Sequence, residues 1–176
     1  SIRKVNLGDS IKAKVVDIEN EEGYVELSLK EARQALMWND AEQAIKDKAD
    51  YVLTINNDVE LTTNYVANLA ECASKNPKAL IGSMVCDKDK PDSVWFMGGF
   101  MDTSNGRMAH KTGRVSDYKE VLEAEWLTGM GMLIPSEVFK EVGMFSAGRY
   151  PQYNGDAEFS LRAKKAGYAL IVDPNS

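Results

Sequence analysis

Tyr51-Val52-Leu53-Thr54-Ile55-Asn56-Asn57-Asp58 is a short, nearly unbroken apolar run that ends abruptly in two amides and an acid. A run of that length without alternation reads as a strand buried in a sheet, and the polar residues read as its exit. Thr62 or Thr63 can then cap a helix whose apolar side is Tyr65, Val66, Leu69, Ala70 and Ala73 and which stops at Asn76-Pro77. A second strand is expected over 79–86. Strand, helix, strand in that order points to an α/β layer structure.

Working toward the C-terminus, residues 87–92 read as a charged loop and 94–101 as an extended segment broken by Gly98-Gly99. Residues 102–125 carry little periodicity and read as a mobile loop. A strand is expected over 126–134, with Gly129 and Gly131 inside it. Pro135-Ser136 opens a short helix that ends at Gly143. Gly155-Asp156 opens another, closed by Gly167, and 168–172 reads as the last strand.

Toward the N-terminus the style changes. Residues 11–18 and 24–29 alternate apolar with polar around a polar, Gly-closed connection, which is the pattern of a β-hairpin. Its expected buried residues are Ile11, Val15 and Leu27 or their alternates. Over 31–48 Trp38, Ala41 and Ile45 fall on one helical stripe. The expected organisation is a β-hairpin segment over 1–34, a connecting helix over 35–50 and an α/β domain over 51–176. The hairpin's open edges call for docking on the rest of the chain or on a second copy, so a homo-oligomer is one expectation.

Composition narrows the function classes. The 176 residues are 44% hydrophobic and 27% charged, which excludes disorder and collagen. No apolar run approaches the roughly 18 residues of a membrane span. Of 21 basic and 27 acidic residues, 8 and 11 fall within 1–50, leaving 13 and 16 in 51–176. Neither part is basic, so at most weak, salt-sensitive RNA binding is expected. Cys72 and Cys86 fit neither a disulfide framework nor a zinc pattern and read as reduced thiols. The N-terminus has no secretory signature, which sets a cytoplasmic expectation, and the missing initiator Met suggests a chain cut from something longer.

Three groups could carry chemistry. Asn56-Asn57-Asp58 follows a strand, where α/β sheets bind ligands, and a carboxylate beside amides suits a hard divalent ion on phosphate; an Asx turn is the plainer reading. Asp156, behind Gly155, can serve as a general base. It can equally be an acid at a helix start, with Glu158 and Arg162 forming an i,i+4 surface pair. Trp126-Leu127-Thr128-Gly129-Met130-Gly131 places glycines in a strand, which suits a substrate wall or tight packing. His110 reads as solvated, and Trp95, Phe96 and Phe100 as core more than as a stacking surface.

Taken in order, these segments resemble glycosyltransferase family two, in the C-terminal part of its GT-A catalytic domain. The carriers are Trp38-Asn39-Asp40, the run 49–58, Val94-Trp95-Phe96-Met97-Gly98-Gly99, Trp126-Leu127-Thr128-Gly129, and Gly155-Asp156-Ala157-Glu158-Phe159-Ser160-Leu161-Arg162 with Gly167-Tyr168. The resemblance implies a partial GT-A-like (Rossmann-like) mixed sheet with helices, and transfer of a sugar from a nucleotide-sugar donor to a glycan or lipid-linked acceptor. It implies that Asn56, Asn57 and Asp58 meet the donor diphosphate, with Asp58 on a manganese or magnesium ion. Asp156 would be the base, and Trp126, Thr128, Gly129 and Glu158 would line the acceptor site. Asn56 stands where many members have an acid, and Gly155 replaces a Glu. Asp58 and Asp156, 98 positions apart, are expected to face one cleft. A place peripheral to the membrane is compatible with such an acceptor.

Residues 1–34 resemble the last two strands of the ribosomal S-one type RNA-binding motif, an OB-fold barrel, through 5–15 and Leu27-Ser28-Leu29-Lys30. The stacking aromatics of that family lie mainly on strands this segment lacks. The first βαβ units of the glycosyltransferase family also have no counterpart here, and the likeness stops at Asp173-Pro174-Asn175-Ser176. A fusion, an engineered chimera or an excised fragment is the expectation. An RNA-binding module and an inactive structural chimera stand as the alternatives to an enzyme.

Overall fold

In the computed structural model the described residues are 14–17, 24–28, 43, 49–102, 104–146, 148–150 and 153–176. The chain divides into two compact units, Ser1–Lys48 and Ala49–Ser176.

In the first unit β1 (Lys14–Asp17) pairs antiparallel with β2 (Glu26–Ser28), with Val15 opposite Leu27 and an irregularity before Asp17. Residues 24–25, expected in the second strand, lie before it, and residues 11–13, 18 and 29 of the expected strands lie outside the described residues. Val15 is 51% exposed and so is not a core residue of the described hairpin. Ile11 lies outside the described residues, as does the helix expected over 31–48 apart from the helical Gln43.

The second unit is mixed α/β, built on a five-stranded sheet. Its strands are β3 (Tyr51–Thr54), β4 (Ala79–Ser83), β10 (Leu122–Glu123), β11 (Met132–Pro135) and β12 (Ala169–Asp173), in the order β10-β12-β4-β11-β3. β12 runs parallel to β4, while β11 is antiparallel to both β4 and β3. Strands β3, β4 and β12 therefore share one direction, and their carboxyl ends Thr54, Ser83 and Asp173 lie along one margin. β3 is a sheet edge, and its residues are half-buried or exposed instead of central.

Side chains alternate across each strand, so each face of the sheet has its own core. On one face Ala79, Ile81, Leu133 and Ile171 pack with Tyr65, Leu69, Cys72 and Ala73 of α1 (Tyr65–Lys75). Val66 and Ala70, expected in that stripe, are exposed, and Cys72 takes the inner position. Asn64, not Thr62 or Thr63, is the N-cap, and its side chain makes no cap bond. On the other face Leu80, Met132, Ile134, Leu170 and Val172 are fully or almost fully buried. There Phe159 of α3 (Gly155–Lys165) stacks on Phe145 at 4.2 Å and lies 5.2 Å from Phe139 of α2 (Ser136–Val142).

Between β4 and β11 the chain makes a β excursion. β5 (Val85–Asp87), β6 (Lys90–Phe96) and β9 (Gly113–Arg114) form a three-stranded sheet, and β7 (Gly99–Asp102) pairs with β8 (Arg107–His110). This corrects three expectations. The strand expected over 79–86 is two strands in different sheets, parted at Met84. The charged loop over 87–92 is a hairpin tip whose turn spans only 88–89. Most of 102–125 is short strands and turns, with β10 rejoining the main sheet beside β12. β5–β6 and β7–β8 are hairpins, while β6–β9 and β10–β12 join segments farther apart, and pairings of two to four residues are too short to leave a local period. The split at Gly98-Gly99 is real: Gly98 has φ of 93°, and the Trp126 ring lies where a side chain on Gly99 would project.

Candidate functional site

The sheet directions determine which candidate residues come near each other. Asn56-Asn57-Asp58 leaves the carboxyl end of β3, with 57–58 forming a turn and all three residues exposed. β11 starts at the same margin, because Met132 pairs with Thr54 on one side and Gly82 on the other. The residues just before it, Gly129 to Gly131, therefore lie at that margin too. Ser83 N–H donates to the Gly131 carbonyl at 2.9 Å and carries the ladder one step further.

Residues 126–131 are not strand, which corrects the expectation for 126–134. They are fastened by side chains from α3. Ser160 Oγ accepts the Leu127 N–H at 3.0 Å, and Asp156 Oδ2 accepts the Gly129 N–H at 2.7 Å. Asp156 and Ser160 are one helical turn apart and so share a face, which matches two amides spaced by two residues in an extended chain. Asp156 Oδ1 accepts the N–H of Ala157 at 2.8 Å, in the first turn of its own helix. Both carboxylate oxygens are thus held by backbone donors, and each keeps a second lone pair. Asn154, left-handed at φ 63°, turns the chain into this helix.

The glycines of this segment have separate reasons. At Gly131 a Cβ would overlap the Tyr65 hydroxyl and come within 2.7 Å of Ser83 Oγ, two groups that hydrogen-bond to each other at 2.8 Å. Burial pushes the Tyr65 hydroxyl above its ordinary pKa, and the Ser83 bond works the other way. Tight packing explains Gly131. At Gly129 the nearest atoms to a Cβ would be Asp156 Cβ and Oδ2, both at 3.6 Å, an ordinary contact.

The other expected acceptor residues are mostly committed to the fold. Trp126 is half-buried, pairs with Gly99 and donates its indole N–H to the Phe100 carbonyl at 3.3 Å. Thr128 is buried at 8% exposure. Glu158 pairs with Arg162 at 2.7 Å, and the pair is partly buried, not on the surface as expected. Arg162 also donates to the carbonyls of Val142 and Met144, tying the end of α2 to α3. Its five donors in a planar fork suit that three-way clamp.

Among the described residues no three or more His, Cys, Asp or Glu side chains gather as a metal site. Asp58 with two neighbouring amides is too sparse to hold an ion by protein ligands alone. It does fit a divalent cation that arrives on a diphosphate, which keeps its waters and takes one carboxylate from the protein.

His110, expected to be solvated, lies against aromatic rings instead. It is half-buried, its ring 4.8 Å from Trp95, 5.7 Å from Phe96 and edge-on to Trp126 at 6.4 Å. Its Nδ1 is buried without a partner among the described residues. Trp95 remains 46% exposed beside it, whereas Phe96 is fully buried. The β7–β8 hairpin sets His110 opposite Gly99, and the signal that could have found it is Asn105-Gly106, with Gly106 left-handed at φ 69°, inside residues read as a mobile loop.

Cys72 is buried and Cys86 half-buried, and both are free thiols. Burial raises both above the usual thiol pKa, with Asp173 adding to the effect on Cys72. No described helix is long and apolar enough to cross a membrane. No model of a known protein family matches the chain, and no curated protein matches it.

Proposed function

We propose that the unit over Ala49–Ser176 is a glycosyltransferase-type domain that moves a sugar from a nucleotide-sugar donor to an acceptor hydroxyl on a glycan or lipid carrier. The observation that carries this reading is the bond from Gly129 N–H to Asp156, made at the sheet margin from which Asn56-Asn57-Asp58 also emerges. Ligands of open α/β sheets bind beyond the carboxyl ends of parallel strands, and β3, β4 and β12 all end there.

In this reading Asp156 takes the proton of the attacking hydroxyl on a free lone pair. Its two backbone bonds hold the carboxylate in place through the step, which suits a general base. The side chains of Asn56 and Asn57 supply amides, and that of Asp58 a carboxylate, to the donor diphosphate. A manganese or magnesium ion bound with the diphosphate supplies charge neutralisation at the leaving group.

The test is titration of the purified full chain with a panel of nucleotide sugars, with and without manganese, followed by transfer assays. Manganese-dependent donor binding is expected, weakened by Asp58→Ala. Asp156→Asn keeps the acceptor for Gly129 and should lower the transfer rate by about 10²–10⁴-fold with donor binding nearly unchanged. Failure of every nucleotide sugar to bind in both conditions would overturn the proposal.

A further inference from the structure

Residues 127–131 are held at alternate positions. Ser160 Oγ accepts the Leu127 N–H at 3.0 Å, Asp156 Oδ2 accepts the Gly129 N–H at 2.7 Å, and Ser83 N–H donates to the Gly131 carbonyl at 2.9 Å. The two outer residues are also held by packing. Leu127 is fully buried, and Gly131 is wedged against Tyr65 and Ser83. Gly129 has no such packing on the side a Cβ would occupy. Among the described residues, its chain neighbours aside, only Asp156 Cβ and Oδ2 lie within 4 Å of that place. Gly129 is therefore located by its flanks and by one bond to a carboxylate.

Ser160 governs one of those flanks. It is 0% exposed, and its single donor is committed to the Ala157 carbonyl at 2.9 Å. Toward Leu127 it can only accept, which is what a backbone N–H requires. Ala157 in turn donates its N–H to Asp156 Oδ1 at 2.8 Å. The bonds run from Leu127 through Ser160, Ala157 and Asp156 back to Gly129, and tie one helical turn to two alternate amides. Two attachments fix the register and tilt of residues 127–129 against α3, whereas one alone would leave them free to pivot. A buried N–H without a partner bears the desolvation cost of that group, so losing the Ser160 hydroxyl would move Leu127 off its present place.

We infer that Ser160 is a positioning residue for Asp156: through Leu127 it holds the Gly129 amide on the carboxylate and so fixes the oxygen that takes the acceptor's proton. Its effect on rate rests on the glycosyl-transfer reading, and its effect on the Gly129 amide does not.

The experiment is amide hydrogen exchange by NMR on the full chain, with donor titrations and transfer assays alongside, for Ser160→Ala and Ser160→Cys. Cys nearly keeps the volume, but its sulfur is a weak acceptor. Protection at Gly129 should fall about tenfold in both variants, the worth of one net hydrogen bond, while the Ile81 amide within β4 loses much less. The transfer turnover should fall about 10-fold to 10²-fold in both, with donor affinity nearly unchanged. Protection at Gly129 equal to the parent's in Ser160→Ala overturns the inference. So does loss in Ser160→Ala that Ser160→Cys restores, because that assigns Ser160 to packing. Equal loss at Gly129 and Ile81 also overturns it, because that marks a general loss of stability. A parent chain that binds no nucleotide sugar overturns the glycosyl-transfer reading instead, and the Gly129 amide then still decides whether Ser160 holds Asp156 in place.

Discussion

Strands β4 and β11 of the main sheet are buried at every position, whereas β6 of the excursion is exposed from Lys90 to Ser93 and buries only Val94 and Phe96. The first pattern belongs to strands covered on both faces, here by α1 and by the α2–α3 pair. The second belongs to a ribbon with one side in water. The excursion relies instead on local polar fastening, as at Asp102, whose carboxylate accepts from Ser104 and Asn105 and is held below the usual carboxylate range by those bonds. Stability in the sheet is therefore collective and apolar, and in the excursion it is piecemeal. Substitutions in the two regions should differ accordingly.

The largest effect is expected at Phe159, fully buried and stacked on Phe145. Phe159→Ala should cost about 3–5 kcal/mol in denaturant unfolding. Trp95→Ala in the excursion, removing a ring still 46% exposed, should cost a small fraction of that. Equal losses would break the distinction between the regions.

A sharper version tests the two glycines that precede β11. Gly131→Ala must displace the Tyr65–Ser83 pair and should destabilise by about 1–3 kcal/mol. Gly129→Ala meets only ordinary contacts and should leave the melting temperature close to that of the parent. Were Gly129→Ala the costlier change, the Asp156–Gly129 attachment would be more tightly packed than its geometry indicates.

The smallest effect is in alkaline titration. Tyr168, at the entry to β12, is pushed up to about 12, by burial first and then by Glu141. A raised folded pKa gives stability that is complete below the ordinary tyrosine value near 10 and is lost as pH rises through about 12. Tyr168→Phe should flatten the stability profile across that window. Tyr118, in the excursion, is raised by burial and then by Asp117, and is only half-buried. Tyr118→Phe should flatten the profile less, and the reverse ranking would contradict the contrast drawn here.

How much of this was legible in advance depends on how local each signal is. The helices over 65–75, 136–142 and 155–165 announce themselves through apolar spacing and through Pro and Gly stops, because those cues act within one or two turns. Asp58 and Asp156 could be picked out singly for the same reason. Ser160 could have been, since it sits one turn after Asp156 on the same helix, yet its value appears only when Leu127 is alongside.

The sequence by itself determined the globular composition, the longer apolar strands of the central sheet and the helices that cover them, because burial and backbone preference are written in neighbouring residues. The tertiary structure decided the strand order, the edge position of β3, the excursion's short pairings, the aromatic surroundings of His110 and the attachment of Gly129 to Asp156. Apart from the excursion's two hairpins, whose strands are too short to show a period, each of those depends on two segments far apart in the chain, and the free energy that joins them belongs to the pair, so neither segment can display it alone.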